Sequence, residues 1–172
     1  MHETQASDTC TTTAATITLR SETPEDEAFL FTLYASVREE ELEATGWAGA
    51  ARNDFLQMQF RAMRQGYRSM FPRAQFSIIM LEGEPVGRLV LNRASDELRV
   101  VDITLLPTAR GQGLGGNLLR SIVAEARHSG RRVRLHVLKG ARAERLYERL
   151  GFRQINDAGL YEQMEWRPRK DG

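Results

Sequence analysis

Hydrophobic positions along the chain recur with two periods, and the places where the period changes divide it into elements. "TITLR" (Thr16–Arg20) alternates apolar and polar residues, which predicts a short strand. "SETPEDEAFLFTLYASV" carries a helix start: Thr23 can cap, Pro24 suits the first helical position, and Asp26 completes a capping-box pair. Phe29, Leu30, Leu33, Tyr34 and Val37 then recur at helical spacing. A charged break, "REEELEATGWAGAARND", leads to a second amphipathic segment in which Leu56, Phe60, Met63, Tyr67 and Met70 follow a three-to-four residue period and read as core.

From Gln75 the period shortens. "QFSIIML" and "VGRLVLN" flank "EGEP" and predict an antiparallel hairpin, and "ASDE" turns the chain into "LRVVDITLL" (Leu98–Leu106), which Pro107 stops. Leu114, Leu118, Leu119, Ile122, Val123 and Ala126 mark one face of a helix ending at Gly130. "RVRLHVL" is the next strand, "RAERLYERL" a short helix stopped by Gly151, and "FRQIND" and "LYEQMEW" form a closing hairpin around "AG". The order β–α–α–β–β–β–α–β–α–β–β, without internal repeat or linker, predicts one α/β domain with a mixed sheet over residues 16–168, preceded by a disordered tail over 1–15.

Composition narrows the classes. With 172 residues, 41% of them hydrophobic, the chain can bury a core of its own. Cys10 is the single cysteine, so no disulfide framework is available and a reducing, cytoplasmic compartment is expected. The first fifteen residues lack the basic and apolar regions of a signal peptide, and no apolar run approaches the roughly 20 residues of a membrane helix. One Cys with His2, His128 and His136 offers no zinc spacing, so no metal is expected. Charge is uneven: residues 1–106 hold 10 Lys/Arg against 16 Asp/Glu, residues 107–172 hold 14 against 7, and the net charges are −6 and +7. The change of sign falls at a glycine-rich segment, which suits an anionic ligand. Basic patches interleaved with aromatics are missing, which argues against nucleic acid.

That segment, "TLLPTARGQGLGGNLL", permits two interpretations. Gly111, Gly113 and Gly116 satisfy G-x-G-x-x-G between a strand and a helix, as a dinucleotide-binding oxidoreductase requires. Against this, the turn comes after about a hundred residues, Pro107–Arg110 separate it from its strand, and "RRVRLHVLKG" lacks the acid that holds a ribose hydroxyl. The other pattern is Arg110-x-x-Gly113-x-Gly115, in which backbone N–H groups at a helix start meet a pyrophosphate.

This second pattern resembles the acyl-CoA loop of the GNAT superfamily of N-acetyltransferases. The resemblance extends over roughly Thr16 to Trp166: "ITLRSETPEDEAFLFTLY" is similar to the family's opening, Leu105-Leu106-Pro107 to the end of its fourth strand, and "LYERLGF" to its late helix. It implies the GNAT fold, a mixed, mostly antiparallel sheet of six to seven strands, with fourth and fifth strands splayed and helices flanking them. It also implies an acyltransferase that moves an acetyl group from acetyl-CoA, as cosubstrate, to a primary amine of a small molecule or protein by direct attack. Arg110, Gly111, Gln112, Gly113, Leu114, Gly115 and Gly116 would hold the diphosphate, and Leu105 and Leu106 would pair with the pantetheine arm. The Leu105 N–H would face the thioester carbonyl, and Tyr147 would protonate the leaving thiolate.

Asp102 and His136 are the candidate general bases. The spacing of Asp102 from Leu105 sets the two on opposite strand faces, where a structural hydrogen-bonding role is the competing assignment for Asp102. Glu39, Glu40, Glu41 and Glu43 could attract a cationic amine, and Arg142 and Arg145 could meet a 3′-phosphate or simply be solvated. Many members have an Asn seven residues before the tyrosine, where this chain has Gly140. A CoA-binding module without catalysis is a further alternative, and the edges of the terminal hairpin are a candidate homodimer surface.

Overall fold

The computed structural model describes residues 16–43, 46 and 48–169, except for the side chains of Glu40, Glu41 and Ala158. The tail expected over 1–15, with Cys10, lies outside the described residues. The elements are β1 (Ile17–Ser21), α1 (Glu27–Glu43), α2 (Ala50–Met70), β2 (Gln75–Leu81), β3 (Glu84–Arg93), β4 (Glu97–Leu105), α3 (Leu114–Ser129), β5 (Arg132–Leu138), α4 (Arg142–Arg149), β6 (Arg153–Ala158) and β7 (Tyr161–Trp166). The strands form one sheet in the order β1-β2-β3-β4-β5-β7-β6, in which only β4 and β5 are parallel neighbours. An open, mostly parallel dinucleotide fold is therefore not what this chain adopts.

Each sheet face has its own core. On one face α3 and α4 pack Leu119, Ala126 and Tyr147 over Leu98, Val133, Leu135 and Met164. On the other, α1 and α2 bury Leu30 and Phe60 against Ile78 of β2. The amphipathic stripes account for most of this packing, but Val37 and Met70 at their ends are exposed rather than core.

Three boundaries differ from the sequence expectation. The charged stretch "REEELE" does not break α1, which runs to Glu43, because Arg, Glu and Leu are strong helix formers and charge alone is no stop signal. Gly46 and Gly49, both at positive φ, lie between the two helices. Pro85 belongs to β3, not to the turn, which consists of Glu82 and Gly83, both left-handed, as a two-residue hairpin requires. The last hairpin turns at Gly159-Leu160, since Ala158 remains in β6.

The helix start at Thr23 is built around a carboxylate. Arg20 donates from both terminal nitrogens to Asp26, at 2.7 and 2.6 Å, and the Thr23 N–H donates to Asp26 Oδ2 at 2.8 Å. These bonds, first among them those from Arg20, hold the buried Asp26 carboxyl at about 2. A carboxyl depressed in the folded state stabilises it above the ordinary carboxylate range, and that contribution fades as pH falls toward 2. Because Arg20 is partly solvated, we expect about 1–2 kcal/mol from this site. Urea titrations between pH 6 and pH 2.5 should show wild type losing that increment while Asp26→Asn lacks it throughout; parallel curves would refute the assignment.

Two irregularities in β4 and β3 shape the centre of the sheet. The β3–β4 register passes from Val90↔Asp102 to Leu91↔Val100, so Val101 is an extra residue, a β-bulge. One inserted residue inverts the alternation beyond it. Leu98 and Val100 face the α3 side before the bulge, Ile103 and Leu105 face it afterwards, and Asp102 and Thr104 are turned toward α2. The parallel pairing of β4 with β5 ends at Val100↔Leu135, so both strands continue without each other beyond it.

Candidate active site

The gap between β4 and β5 leaves backbone groups of β4 without a strand partner. Leu106 donates its N–H to Val86 of β3 at 2.8 Å. Because N–H and C=O directions alternate along a strand, the Leu105 N–H and C=O point the other way, into the gap. The Leu105 carbonyl accepts from Arg110 Nε at 3.0 Å, which folds the arginine back over the strand end. Sequence reasoning missed the residue that allows this arrangement. A Cβ on Gly87, opposite Leu105 in the register, would lie 2.4 Å from the Thr104 carbonyl oxygen and 2.8 Å from Leu105 Cδ2. A glycine inside a predicted strand was the available signal. Gly87→Ala should cost about 1–3 kcal/mol by overpacking and lower Tm by several degrees. Gly66→Ala, in α2 with no atom near the new methyl, should instead raise stability slightly. Thermal melts of both variants decide; an unchanged Tm for Gly87→Ala contradicts the close approach.

Beyond β4 the chain makes a single 3-10 turn, Pro107–Ala109, and then a glycine turn into α3. Gly111 and Gly113 have φ of 75° and 79°, a region that L side chains avoid. Gly113 caps α3, and the first helical backbone bond runs from Asn117 N to Gly113 O. The N–H groups of Leu114, Gly115 and Gly116 therefore have no intrahelical acceptor, and no side chain among the described residues accepts from them. With the helix dipole they form an anion site. Gln112 sits in the same turn, its side-chain amide donating to the Thr108 carbonyl at 3.0 Å.

The turn opens on a cleft of about 750 Å³ between β4, the start of α3 and α4. Its inner wall is apolar: Ile103, Leu105, Leu114, Leu119, Leu146 and Leu150. Tyr147 lines it too, buried to 6% exposure, with its ring 5.8 Å from that of Phe152. Its hydroxyl has no hydrogen-bond partner among the described residues, and burial, reinforced by the Asp102 charge, pushes it up to about 12. Arg110, Arg120, Arg142, Arg145 and Arg149 surround the opening. A second concavity, of about 640 Å³, is lined by α2 alone, and no groups converge on it.

Asp102 lies on the other face. It accepts from Arg88 Nε at 3.0 Å and from Arg88 Nη2, while Thr104 Oγ1 donates to its other oxygen at 2.6 Å. Arg88, itself buried, also reaches Met63 Sδ at 3.7 Å and lies over the Tyr67 ring. Burial, then the Asp102 charge, raises the Tyr67 hydroxyl to about 12. The structural bonding weighed for Asp102 in the sequence is thus present. His136 projects from β5 on the face opposite Leu135, and partial burial and the nearby Arg99 lower its pKa. Gly140, in place of an asparagine, takes φ of 74°, and Glu144 accepts its N–H at 2.9 Å, so this position turns the chain into α4.

Residues 72–154 match the model of the GNAT acetyltransferase domain. Solved structures with the same fold span nearly the whole chain. The PaiA N-acetyltransferase of Thermoplasma acidophilum, in complex with coenzyme A, is 16% identical with a TM-score of 0.64, covering 88% of this chain and 99% of its own. An acetyltransferase from Thermus thermophilus is 20% identical with a TM-score of 0.65, covering 88% and 97%. A GNAT family acetyltransferase from Elizabethkingia anophelis, with acetyl-CoA bound, is 16% identical with a TM-score of 0.54, covering 88% and 97%. The seven-stranded mixed sheet with its parallel fourth and fifth strands is the fold of these acetyltransferases, and within it residues 72–154 match the model of the GNAT acetyltransferase domain.

Proposed function

We propose that this protein is an N-acetyltransferase that transfers the acetyl group of acetyl-CoA to a primary amine. The observation that carries the proposal is a single cleft joining an anion-binding helix start, an apolar channel along the unpaired end of β4, and a protonated tyrosine. Each part answers one part of the donor. The N–H groups of Leu114 to Gly116 and the Arg110 guanidinium hold the diphosphate, with Gly111, Gln112 and Gly113 forming the turn that presents them. Ile103 and Leu105 flank the pantetheine arm, and the Leu105 N–H points at the thioester oxygen; Leu106, whose N–H is spent on Val86, is not available to pair with the arm as the sequence suggested. The PaiA and Elizabethkingia structures, which hold coenzyme A and acetyl-CoA, support this assignment by fold.

When bound, the donor supplies an activated acyl carbon. The acceptor enters from the α2 side of the gap, the face of β4 that carries Asp102, with Arg88 bonded to it and lying over Tyr67. Its amine must first lose a proton. His136, held neutral to lower pH than an ordinary histidine, takes it directly or through water; Asp102, its charge matched by Arg88, holds Arg88 and Thr104 in place. The amine nitrogen then forms a bond to the carbonyl carbon, the carbon–sulfur bond breaks, and the sulfur leaves with its electron pair. Tyr147 keeps its proton at any working pH, so it serves as a hydrogen-bond donor to the leaving sulfur. A hydroxyl at about 12 gives up a proton reluctantly to a thiolate with a pKa of about 8.5, so stabilisation by that bond precedes any transfer.

An amine-panel assay following thiol release tests the reading. Amine-dependent release from acetyl-CoA is expected, with a mass gain of one acetyl group on the acceptor nitrogen. Tight acetyl-CoA binding with no turnover on any amine would favour a CoA-binding module without catalysis.

A further inference from the structure

Two exposed apolar side chains stand on the strand face where the acceptor arrives. Leu138 ends β5 and Tyr161 begins β7; they are partners in the strand register and are 44% and 50% exposed. Because faces alternate along a strand, both share the side of His136 and Gln163, opposite Val137 and Met164, which are packed in the core with α3 and α4. This is the end of β5 that continues without β4, since that pairing stops at Val100↔Leu135. Leu138 comes two residues after His136 on the same face, so the apolar pair begins about 7 Å from the candidate base.

The helices bring further rings to the same place. The Tyr67 hydroxyl, pushed up to about 12 first by burial and then by the Asp102 charge, is raised further by Tyr161 and Tyr34. Hydroxyls from α1, α2 and β7 therefore converge near the Arg88–Asp102 pair. Charge on this side is already matched. Among the described residues, each carboxylate on this face of β4 and β7 has a guanidinium: Asp102 has Arg88, Glu97 has Arg99 and Arg134, and Glu165 has Arg134 and Arg167. These strands keep no carboxylate for a second ammonium group on the acceptor. Burial, then the Arg99 charge, lowers the His136 pKa, and the same charge repels any further cation near that base. Two apolar side chains make a patch far smaller than the roughly 1,200 Å² that a stable protein interface buries, and one that suits a single small ligand.

Resting on the acetyl transfer proposed above, we infer that the acceptor is a primary amine carried on an uncharged apolar body about the size of one aromatic ring, seated against Leu138 and Tyr161 on the side that Tyr67 faces. The body leaves water there while the amine reaches the gap beside His136. The bonds are those of the transfer itself: nitrogen joins the acetyl carbon, the carbon–sulfur bond breaks, and the amine proton passes to His136 directly or through water. Leu138 and Tyr161 take no part in these steps and determine which amine is held. A polyamine is disfavoured by the same site, because its remaining ammonium groups would lose water without gaining a carboxylate.

With acetyl-CoA saturating, kcat/KM for 2-phenylethylamine, ethanolamine and spermidine separates the classes. Wild type should favour 2-phenylethylamine over the other two by about 10- to 100-fold, the range for burying one apolar group of side-chain size. In the double variant L138S/Y161S that preference should collapse through a rise in KM rather than a fall in kcat, with the Kd of acetyl-CoA unchanged. Tyr161→Phe alone should keep it. Wild type that uses spermidine or ethanolamine as well as 2-phenylethylamine, or a preference that survives the double variant, would overturn the inference and leave the N-acetyltransferase assignment standing. So would sedimentation in which the double variant changes oligomeric state while KM stays the same, which would give the patch to a second copy of the chain. If wild type binds acetyl-CoA and acetylates no amine, the transfer assignment fails and this inference fails with it.

Discussion

Replacing Gly113 by aspartate should lower the affinity for acetyl-CoA by on the order of 100-fold or more while leaving the fold almost intact. The separation of the two effects follows from the position. A side chain at Gly113 meets no atom within 4 Å, so there is no clash to relieve. The left-handed φ of 79° costs an L residue about 1 kcal/mol, and aspartate is among the residues that tolerate it best. Against that cost, a carboxylate at the start of α3 interacts favourably with the helix dipole, by about 0.3–1 kcal/mol. The net change in stability is therefore small. For the diphosphate the same carboxylate is a like charge placed where the N–H groups converge, worth about 4 kcal/mol per charge pair at 4 Å in a partly solvated site. Thermal melts without ligand and titration with acetyl-CoA separate the two consequences. A variant that binds the donor within threefold of wild type would remove the diphosphate from this turn.

Tyr147→Phe should reduce kcat by about 10- to 100-fold with little change in the Kd of acetyl-CoA. The hydroxyl has no partner among the described residues and borders the cleft, so its removal leaves no buried group unsatisfied and should not lower Tm. The ring, packed against Phe152, is retained. Since burial raises this hydroxyl to about 12, ionisation of Tyr147 should not appear in the wild-type rate profile up to pH 10. A profile of kcat that falls with a midpoint near 10 in wild type and not in the phenylalanine variant would show an ordinary, solvated tyrosine instead. Unchanged kcat in Tyr147→Phe would remove it from the chemistry.

Much of the architecture was legible in the order of periods. Each strand and helix expected between Thr16 and Trp166 is present, and Gly130 and Gly151 end their helices with positive φ. The turn around Gly111 and Gly113 was legible because few residues other than glycine accept that backbone. What could not be read depends on register and on partners. The bulge at Val101 inverts the faces of β4 without any mark in the apolar pattern, since Val100 and Val101 are chemically alike. The close approach at Gly87 depends on a carbonyl seventeen residues away in sequence. Asp102 could be placed on its strand face, but its engagement by Arg88 and Thr104 is tertiary information. The same holds for the arginines: as a sequence they are a charge bias, and only the pairing of those on the central strands sets those of the cleft apart.

The central claim is that the cleft between β4, α3 and α4 holds acetyl-CoA. Calorimetric titration of the wild-type protein with acetyl-CoA, NAD and NADP under one set of conditions tests it most directly. Saturable 1:1 binding of acetyl-CoA, abolished in Gly113→Asp, with no heat from either dinucleotide, is the expected result. Absence of acetyl-CoA binding, or saturable binding of NAD or NADP in its place, would contradict the account.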